Sequence, residues 1–390
     1  MKTKSVFALT IMIVVLSLAS TQLRADTGTC GGATTILPFN DVAGSQFFCQ
    51  IAEAFFAGLT NGTSATTYSP NNTVARQEMA AFITRTLDQS LKRGSRRAAL
   101  DQFWMPNSLN DLTSTAVGLD PQLVQTDGAD LWVANSGSNS VSRIRASDGR
   151  LLETWTGATQ AFGVLIAKGK VYITGQSSPG ALYVIDPSLP AGAVTTLAST
   201  LGNSPAGIAF DGSRIWTANQ SGSVSIITLN PVTVTNVTTG FSSPQGILFD
   251  GASMWVTDAG DNKMKRLDSN GNILQNVNVG VSPRFPTFDG SNIWVPNSGS
   301  NSVTLVRAVT GNVVLTIGGN GLSFPYVAAF DGERVMVSNQ SGGFVLLWKA
   351  ADTSLAGLVT TGGGSLPVGV CSDGLNFWIT LQGPDTLIRF

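Results

Sequence analysis

An Asp-Gly pair recurs from residue 127 onward in this 390-residue chain, and this recurrence limits the possible folds more than any other feature. Successive copies are 39 to 43 residues apart, with Lys168-Gly169 in the place of the second pair. A proline lies six residues before the Asp in six copies (Phe162 stands there in the second), and a tryptophan lies five residues after it in five copies. The aspartates are Asp127, Asp211, Asp250, Asp289, Asp331 and Asp373. Such a period indicates an array of one supersecondary unit.

Each unit reads as four short strands, which in the third copy are predicted at 206–210, 214–219, 223–229 and 232–238. The Asp-Gly pair supplies the positive φ of a tight hairpin, and the recurrent tryptophan is suited to packing between adjacent sheets. Seven units of four strands are typical of a β-propeller. We therefore predict an all-β fold over 110–390, a seven-bladed β-propeller with four-stranded antiparallel blades.

The two ends of the array predict how the ring closes. The chain ends at Phe390, directly after a third strand, so the last unit lacks its fourth strand. Residues 112–117 lie where fourth strands lie in the other units. We expect this N-terminal strand to complete the last blade, which removes the open edges of the ring.

The amino-acid sequence of the repeats resembles the YVTN-type propeller family. One matching pair of segments is Leu131-Trp132-Val133-Ala134-Asn135 with Ser140-Val141-Ser142-Arg143-Ile144, and another is Ile293-Trp294-Val295-Pro296-Asn297 with Ser302-Val303-Thr304-Leu305-Val306. The resemblance implies the propeller fold. It implies no single function, because the family spans surface-layer proteins, enzymes and binding scaffolds.

Residues 1–25 read as a secretory signal peptide, with Lys2 and Lys4 before an apolar stretch at 6–19. That stretch is shorter than the roughly 20 residues needed to span a bilayer, so we expect export rather than an integral membrane segment. An exported chain can keep disulfides, and Cys30–Cys49 is the natural pair among three cysteines. Cys371 reads as a buried small side chain.

Residues 36–90 carry two apolar stripes at helical spacing, separated by a polar turn region. The first stripe comprises Phe47, Phe48, Ile51, Ala54 and Phe55, and the second Met79, Phe82, Ile83 and Leu87. We predict a small helical module here, followed by a linker at 91–109 that contains a basic run.

Four segments of this module resemble the S-layer homology (SLH) domain, namely Phe39-Asn40-Asp41-Val42, Ala57-Gly58-Leu59-Thr60-Asn61-Gly62, Tyr68-Ser69-Pro70 and Val74-Ala75-Arg76-Gln77-Glu78-Met79-Ala80. The resemblance implies non-covalent attachment to cell-wall polymer or peptidoglycan, with Arg76 and secondarily Glu78 as contacts. The chain departs from the family by carrying one copy, and by having Ala75 where the family has a threonine cap. As residues alone, Arg76 and its neighbours also fit a solvated helix start.

The absence of histidine excludes several chemistries, among them the Ser-His-Asp triad and histidine-ligated zinc. Streptogramin-lyase-like propellers share the seven-unit layout, but catalysis in that family depends on histidine. A net charge of −1 gives no reason to expect nucleic acid as a partner.

Polar residues eight positions after the repeat aspartates are predicted on one face of the ring. They are Asn135, Asn219, Asp258, Asn297 and Asn339. Such a set fits either structural turns or a ligand face, and Asp258 with Asp261 could hold calcium through oxygen. Arg284 and Tyr326 each follow a repeat proline and are predicted at the channel mouth, either as exposed residues without a role or as contacts for an anionic or sugar ligand.

These observations predict a secreted, cell-surface protein in which the SLH-like module associates with the cell wall. The propeller is predicted to be a non-catalytic scaffold that binds an unidentified protein or glycan, without a cofactor. The alternative is a calcium-dependent, lactonase-like hydrolase, since gluconolactonase-like propellers bind metal through carboxylates and amides alone.

Overall fold

The computed structural model describes residues 25–30, 33–56, 59–76, 78–83 and 114–390. The predicted signal peptide (apart from Ala25) and the predicted linker lie outside the described residues. From residue 114 onward the chain forms seven four-stranded antiparallel sheets, which are the seven blades of a β-propeller. The predicted fold class of this part is confirmed.

The blades follow one another along the chain, each as a meander of four strands. Blade one is β4 (Pro121–Thr126), β5 (Asp130–Asn135), β6 (Ser140–Arg145) and β7 (Leu151–Thr156); blade two is β8 (Ala161–Ala167), β9 (Lys170–Gly175), β10 (Gly180–Ile185) and β11 (Thr195–Leu201); blade three is β12 (Pro205–Phe210), β13 (Ile215–Asn219), β14 (Ser223–Leu229) and β15 (Val232–Val237); blade four is β16 (Pro244–Phe249), β17 (Met254–Asp258), β18 (Lys263–Leu267) and β19 (Ile273–Asn278).

The other three blades repeat this order. Blade five is β20 (Thr287–Phe288), β21 (Asn292–Asn297), β22 (Ser302–Arg307) and β23 (Val313–Gly318); blade six is β24 (Pro325–Phe330), β25 (Arg334–Asn339), β26 (Phe344–Lys349) and β27 (Leu355–Thr360); blade seven is β28 (Pro367–Ser372), β29 (Phe377–Leu381), β30 (Thr386–Arg389) and β3 (Ser114–Ala116). The first strands of neighbouring blades pack against one another around a central channel.

Ring closure occurs as predicted. Strand β3 pairs antiparallel with β30, with Thr115 opposite Leu387, so the N-terminal strand completes blade seven. A second contact joins the two ends, because the Thr380 hydroxyl donates to the Gln122 carbonyl of blade one at 2.6 Å. Gly369 makes this approach possible, since a Cβ there would lie 2.4 Å from the same carbonyl oxygen.

The recurrent Asp-Gly and tryptophan residues form one bracket per blade. The glycine of the pair has φ between 90° and 106° in six copies. In five blades the tryptophan indole Nε1 donates to the Oδ2 atom of the repeat aspartate at 2.7–3.0 Å. The same tryptophans are buried against the next blade, as in the cluster of Trp294 with Val335 and Val337. The predicted packing of the tryptophans between sheets is confirmed. The hydrogen bond from the indole to the aspartate explains why the two residues recur together.

The second repeat needs one correction of register. In the other blades a proline faces the last residue of the second strand, as Pro205 faces Asn219, although in blade five Pro283 makes this bridge outside strand β20. In blade two Ala161, not Phe162, takes this position and faces Gly175. The two paired positions are equally far apart in blades two and three, but the Lys168-Gly169 turn lies one position later than the Asp-Gly pairs. Phe162 is therefore equivalent to the residue that follows each proline.

The N-terminal module contains a β-hairpin and a helix. The hairpin pairs β1 (Asp26–Cys30) with β2 (Ala33–Leu37), and helix α1 spans Phe48–Phe56. A disulfide joins Cys30 of the hairpin to Cys49 of the helix, with Cα atoms 5.5 Å apart. The helix buries Phe48, Ile51 and Phe55 of the predicted stripe, whereas Phe47 is 56% exposed. The hairpin was not expected from the sequence.

The second predicted helix is present only in part among the described residues. Residues 76 and 78–83 are helical, while Leu87 lies outside the described residues. Met79 and Ile83 are 49% and 63% exposed, so this stripe is not part of the described core.

Blade five holds the end of helix α1. The Arg307 Nη2 atom donates to the Phe55 carbonyl and the Asn292 Nδ2 atom to the Phe56 carbonyl, both at 2.8 Å. Carbonyls at a helix C-terminus lack intrahelical partners and carry negative partial charge, so a guanidinium stabilises this end. Val314 and Leu315 pack against the core of the module, which completes the contact.

Candidate ligand site at the channel mouth

Each first strand begins, and each second strand ends, at the same end of the channel, which we call the channel mouth. In each blade one residue directly follows the repeat proline, or Ala161 in blade two, and the identity of this residue differs from blade to blade. In chain order these residues are Gln122, Phe162, Ala206, Gln245, Arg284, Tyr326 and Val368. The register therefore brings the predicted Arg284 and Tyr326 to the mouth.

The channel is closed beneath its mouth by aromatic side chains. Phe162 of blade two and Phe285 of blade five meet with ring centroids 5.7 Å apart. Deeper in the channel lies a cavity of about 90 Å³, lined mainly by apolar residues such as Leu123, Val164 and Ile208. The aromatic pair and this lining give the channel mouth an apolar floor.

Arg284 is partly exposed and held by neighbours on two sides. Its Nε atom donates to the Ser298 hydroxyl at 2.9 Å, and Nη1 donates to the Gln245 side-chain oxygen at 3.0 Å. Among the described residues, no partner is found for Nη2 and no carboxylate is in ion-pair contact with Arg284. The guanidinium is thus oriented but keeps a free edge.

The backbone at Arg284 departs from the regular blade. The following residue, Phe285, forms a parallel bridge with Val327 of blade six instead of pairing within its own sheet. As a result β20 is reduced to Thr287–Phe288. This irregularity changes the course of the chain at Arg284. Bulges and interrupted strands are common next to functional sites.

Two aromatic rings border the guanidinium. The rings of Phe324 and Tyr326 stack at 6.2 Å with an interplanar angle of 16°, and each centroid lies 5.5 Å from Arg284 Cζ. Phe324 has φ of 54°, a left-handed conformation that is costly for a bulky side chain. Burial, aided by the charge of Asp120 and opposed by Arg284, raises the pKa of Tyr326, so its phenol stays protonated at neutral pH.

Side-chain carboxamides occupy much of the rest of the mouth. The Gln220 Nε2 atom donates to the Gln245 oxygen at 3.1 Å, and the Gln340 Nε2 atom donates to the Gln382 oxygen at 3.2 Å. Gln176 has the equivalent position in blade two, and its buried Nε2 atom has no hydrogen-bond partner among the described residues. Sequence reasoning missed these glutamines, although four of them follow the last residue of a second strand.

The five predicted polar residues at the strand ends do not reach the mouth surface. Asn135, Asn219, Asp258, Asn297 and Asn339 are all 0% exposed. Three of these amides donate to a pair of hydroxyls on the third strand of their own blade, as Asn219 donates to Ser223 and Ser225 at 3.0 and 2.8 Å. These residues therefore lie below the mouth surface, and the buried Oδ1 atoms of Asn135 and Asn297 and the Nδ2 atom of Asn339 have no hydrogen-bond partner among the described residues.

Blade four replaces this amide–hydroxyl pair by an ion pair. The Lys265 ammonium, 1% exposed, donates to Asp258 Oδ2 at 2.6 Å and also contacts Asp261 at 2.8 Å. Burial raises the pKa of Asp258, but hydrogen bonds from Lys265 and from two backbone amides outweigh burial and lower it. The ammonium stands where the suggested calcium ion would need to bind, and the described residues hold no cluster of three His, Cys, Asp or Glu suited to a metal.

The two residues assigned to wall contact lie at the start of the second helical segment. Arg76 is exposed. Glu78 Oε2 accepts a hydrogen bond from the Ala75 amide at 2.7 Å, which preserves one half of a capping box although the family threonine is missing. Glu78 therefore has a structural role in the helix start.

Comparison with known proteins shows the fold and no family. No protein-family model matches the chain, and no curated protein matches it. Among solved structures, a selenomethionine-substituted virginiamycin B lyase from Staphylococcus aureus matches with a TM-score of 0.60 and 15% identity, over 72% of this chain and 99% of that chain.

Two other solved structures have comparable similarity. Hydrazine synthase from Kuenenia stuttgartiensis matches with a TM-score of 0.60 and 16% identity, over 74% of this chain and 99% of that chain. The WD40 propeller domain of Doa1 matches with 0.59 and 15%, over 71% and 94%. At such identities the likeness concerns the propeller alone. Across the part of the chain that the structure describes, none of the helices has the length and apolar character of a membrane span.

Proposed function

We propose that this chain is an exported cell-surface protein whose propeller is a non-catalytic binding scaffold and whose SLH-like module associates with the cell wall. The observation that carries the binding role is the composition of the channel mouth. A guanidinium with a free edge, stacked aromatic rings and several carboxamides surround a closed floor. None of these groups exchanges a proton near neutral pH, so the set is suited to recognition rather than acid–base catalysis.

The similarity to a lyase does not alter this proposal. One solved match is a catalytically inactive histidine-to-alanine variant of virginiamycin B lyase with quinupristin, at 14% identity. This chain has no histidine, so it lacks the residue type whose removal inactivates that enzyme. The WD40 propeller match is in keeping with a scaffold role.

The tether is supported by the resemblance of 39–80 to SLH segments and by a surface groove of about 490 Å³ in the same region. The groove is lined by polar and aromatic residues, including Asn61, Tyr68, Thr73 and Glu78. Such a lining can bind a polymer rich in hydroxyl groups.

Co-sedimentation of the full mature chain with purified cell-wall fragments tests the tether. We expect retention by the wall and a clear loss of retention for Arg76→Ala. Arg150→Ala removes an exposed positive charge from the propeller and serves as the matched control. Equal retention of the two variants, or no retention of the parent, would refute the assigned role of the module.

A further inference from the structure

Arg284 differs from three other arginines of the propeller, although Arg266 likewise donates only to neutral groups, Ser253 and the Val309 carbonyl. Arg143, Arg214 and Arg334 each form an ion pair with an aspartate, at 2.7, 2.9 and 2.9 Å. Arg284 has only neutral hydrogen-bond partners among the described residues. A partly buried guanidinium without a counter-ion favours binding of an anion, and its planar fork suits a carboxylate.

The guanidinium is fixed in advance of any ligand. Ser298 and Gln245 hold two of its nitrogen atoms, while the rings of Phe324 and Tyr326 lie at 5.5 Å from Cζ. An oriented group loses little conformational entropy on binding, so a single charge can contribute substantially to affinity.

The surroundings of Arg284 indicate what else the ligand carries. The stacked rings offer an apolar face, which fits the C–H face of a pyranose ring. Carboxamides at Gln220, Gln340 and Gln382 can donate to and accept from several hydroxyl groups. Gln245 is 4% exposed and serves to hold Arg284 and Gln220. The Tyr326 hydroxyl makes no hydrogen bond within the described residues, and Gln176 Nε2 also lacks a partner there.

We propose that the channel mouth binds an acidic saccharide, with the carboxylate on Arg284, the sugar ring against Phe324 and Tyr326, and the hydroxyl groups on the glutamines. This inference rests on the proposed non-catalytic binding role of the propeller and names its ligand class. The left-handed conformation of Phe324 belongs to the repeat, because the equivalent residues of five other blades share it, namely Asp120, Gln160, Ser204, Ser282 and Leu366. What distinguishes blade six at this position is the aromatic side chain that stacks on Tyr326.

Isothermal titration of the full mature chain with trigalacturonic acid tests the proposal, with galactotriose as the neutral sugar and benzoate as an aromatic carboxylate without hydroxyl groups. We expect binding of trigalacturonic acid alone. Arg284→Ala is expected to weaken it by roughly 10- to 100-fold, as for loss of a charged hydrogen bond. Phe324→Ser, which installs the residue of the equivalent positions in blades three and five, is expected to weaken binding while retaining the parent melting temperature. Arg150→Ala is expected to bind as the parent does.

Several results would overturn the proposal. These are no heat of binding with trigalacturonic acid, equal affinity for galactotriose, binding of benzoate in preference to the sugar acid, or unchanged affinity in Arg284→Ala. Cleavage of the trisaccharide would contradict the non-catalytic role itself. A chain that binds trigalacturonic acid but is not retained by cell-wall fragments would separate the two proposals, since only the tether would then have failed.

Discussion

The two ends of the propeller channel follow opposite rules. At the end with the Asp-Gly turns, the blades repeat one device, in which an aspartate caps its own turn and accepts from a buried indole. At the mouth, the residue after the repeat proline (Ala161 in blade two) is an amide, an apolar side chain, a guanidinium or a phenol, depending on the blade. Repetition at one end builds the ring, and variation at the other end makes one sector of the mouth unlike the rest.

At the end with the Asp-Gly turns, the loss of the tryptophan from one blade is compensated. Blade six has Met336 in place of tryptophan, and there the Arg334 Nε atom donates to Asp331 Oδ2 at 2.9 Å instead. The buried carboxylate thus keeps a donor when the indole is absent. At the mouth, by contrast, the Nη2 atom of Arg284 has no partner among the described residues, so this edge of the guanidinium can bind a ligand.

The largest effect is expected from removing the closing strand. Deletion of residues 110–118 leaves β30 as an open edge, so we expect the melting temperature of the propeller to fall by roughly 10 °C or more. A deletion of the same length over 101–109 is the control, measured by circular dichroism. Equal melting temperatures for the two deletions would show that closure by β3 does not hold the ring together.

The buried ion pair of blade four is expected to be the next most sensitive feature. Lys265→Met leaves the Asp258 carboxylate buried without its cation, which should cost roughly 3–5 kcal/mol of unfolding free energy. Combining Asp258→Asn with Lys265→Ser recreates the pairing of Asn135 with Ser142 in blade one and should restore most of the loss. Chemical denaturation measures both. A double variant no more stable than Lys265→Met would show that the blades do not share one interchangeable turn.

The aspartate–tryptophan bracket is expected to contribute a smaller amount per blade. Asp250→Asn presents an amide donor to the indole Nε1 of Trp255, so we expect a loss of about 1–3 kcal/mol. Adding Trp255→Phe removes the opposing donor, and a double-mutant cycle by urea denaturation isolates the pair. Additive losses would mean that the hydrogen bond is not what links the two residues.

Acid should weaken the same bracket in blade three. Burial raises the pKa of Asp211, but hydrogen bonds from the Arg214 amide and the Trp216 indole outweigh burial and lower it to about 2. A depressed folded-state pKa stabilises the fold above the unfolded pKa and loses that contribution as the pH falls from about 4 to about 2. Unfolding free energies across this window should fall less steeply for Asp211→Asn than for the parent. If the unfolding free energies of the parent and of Asp211→Asn fall in parallel with pH, the protonation of Asp211 is not linked to stability.

The smallest effect on stability is expected at the mouth. Arg284→Ala removes a partly exposed side chain whose partners keep other hydrogen bonds, since Ser298 donates to the Ser282 carbonyl and Gln245 accepts from Gln220, so we expect a change within about 0.5 kcal/mol. Differential scanning calorimetry measures it. A loss as large as that of Asp250→Asn would mean that Arg284 is part of the framework rather than of a ligand site.

The sequence predicted the parts of the fold that depend on local periodicity. Blade number, strand order and closure all follow from recurring positions such as Trp216 and Pro205, because each copy supplies independent support for the same unit. Aligning Lys168-Gly169 with the Asp-Gly pairs shifted the predicted equivalence of Phe162 by one residue, since the position of the turn within a hairpin is not visible without the pairing partner.

The site was predictable only in part, because it is assembled from residues far apart in the chain. Arg284 and Tyr326 could be placed at the mouth from their position after a proline, but the contact of Gln245 with Gln220 and Arg284 requires the curvature of the ring. The sequence left open whether Asn219 forms a structural turn or contacts a ligand, and it did not predict that this side chain is fully buried. A signal existed in the paired Ser223 and Ser225 on the next strand, whose places in blade four are taken by Lys263 and Lys265.

The shift of melting temperature on adding trigalacturonic acid, compared between Asp250→Asn and Arg284→Ala, tests the division between the two ends most directly. We expect Asp250→Asn to melt at a lower temperature than the parent and to show the same increase in melting temperature on addition of the trisaccharide. Arg284→Ala should melt like the parent and gain nothing. If Arg284→Ala melts as low as Asp250→Asn, or still responds fully to the trisaccharide, the division of roles between the ends of the channel is contradicted.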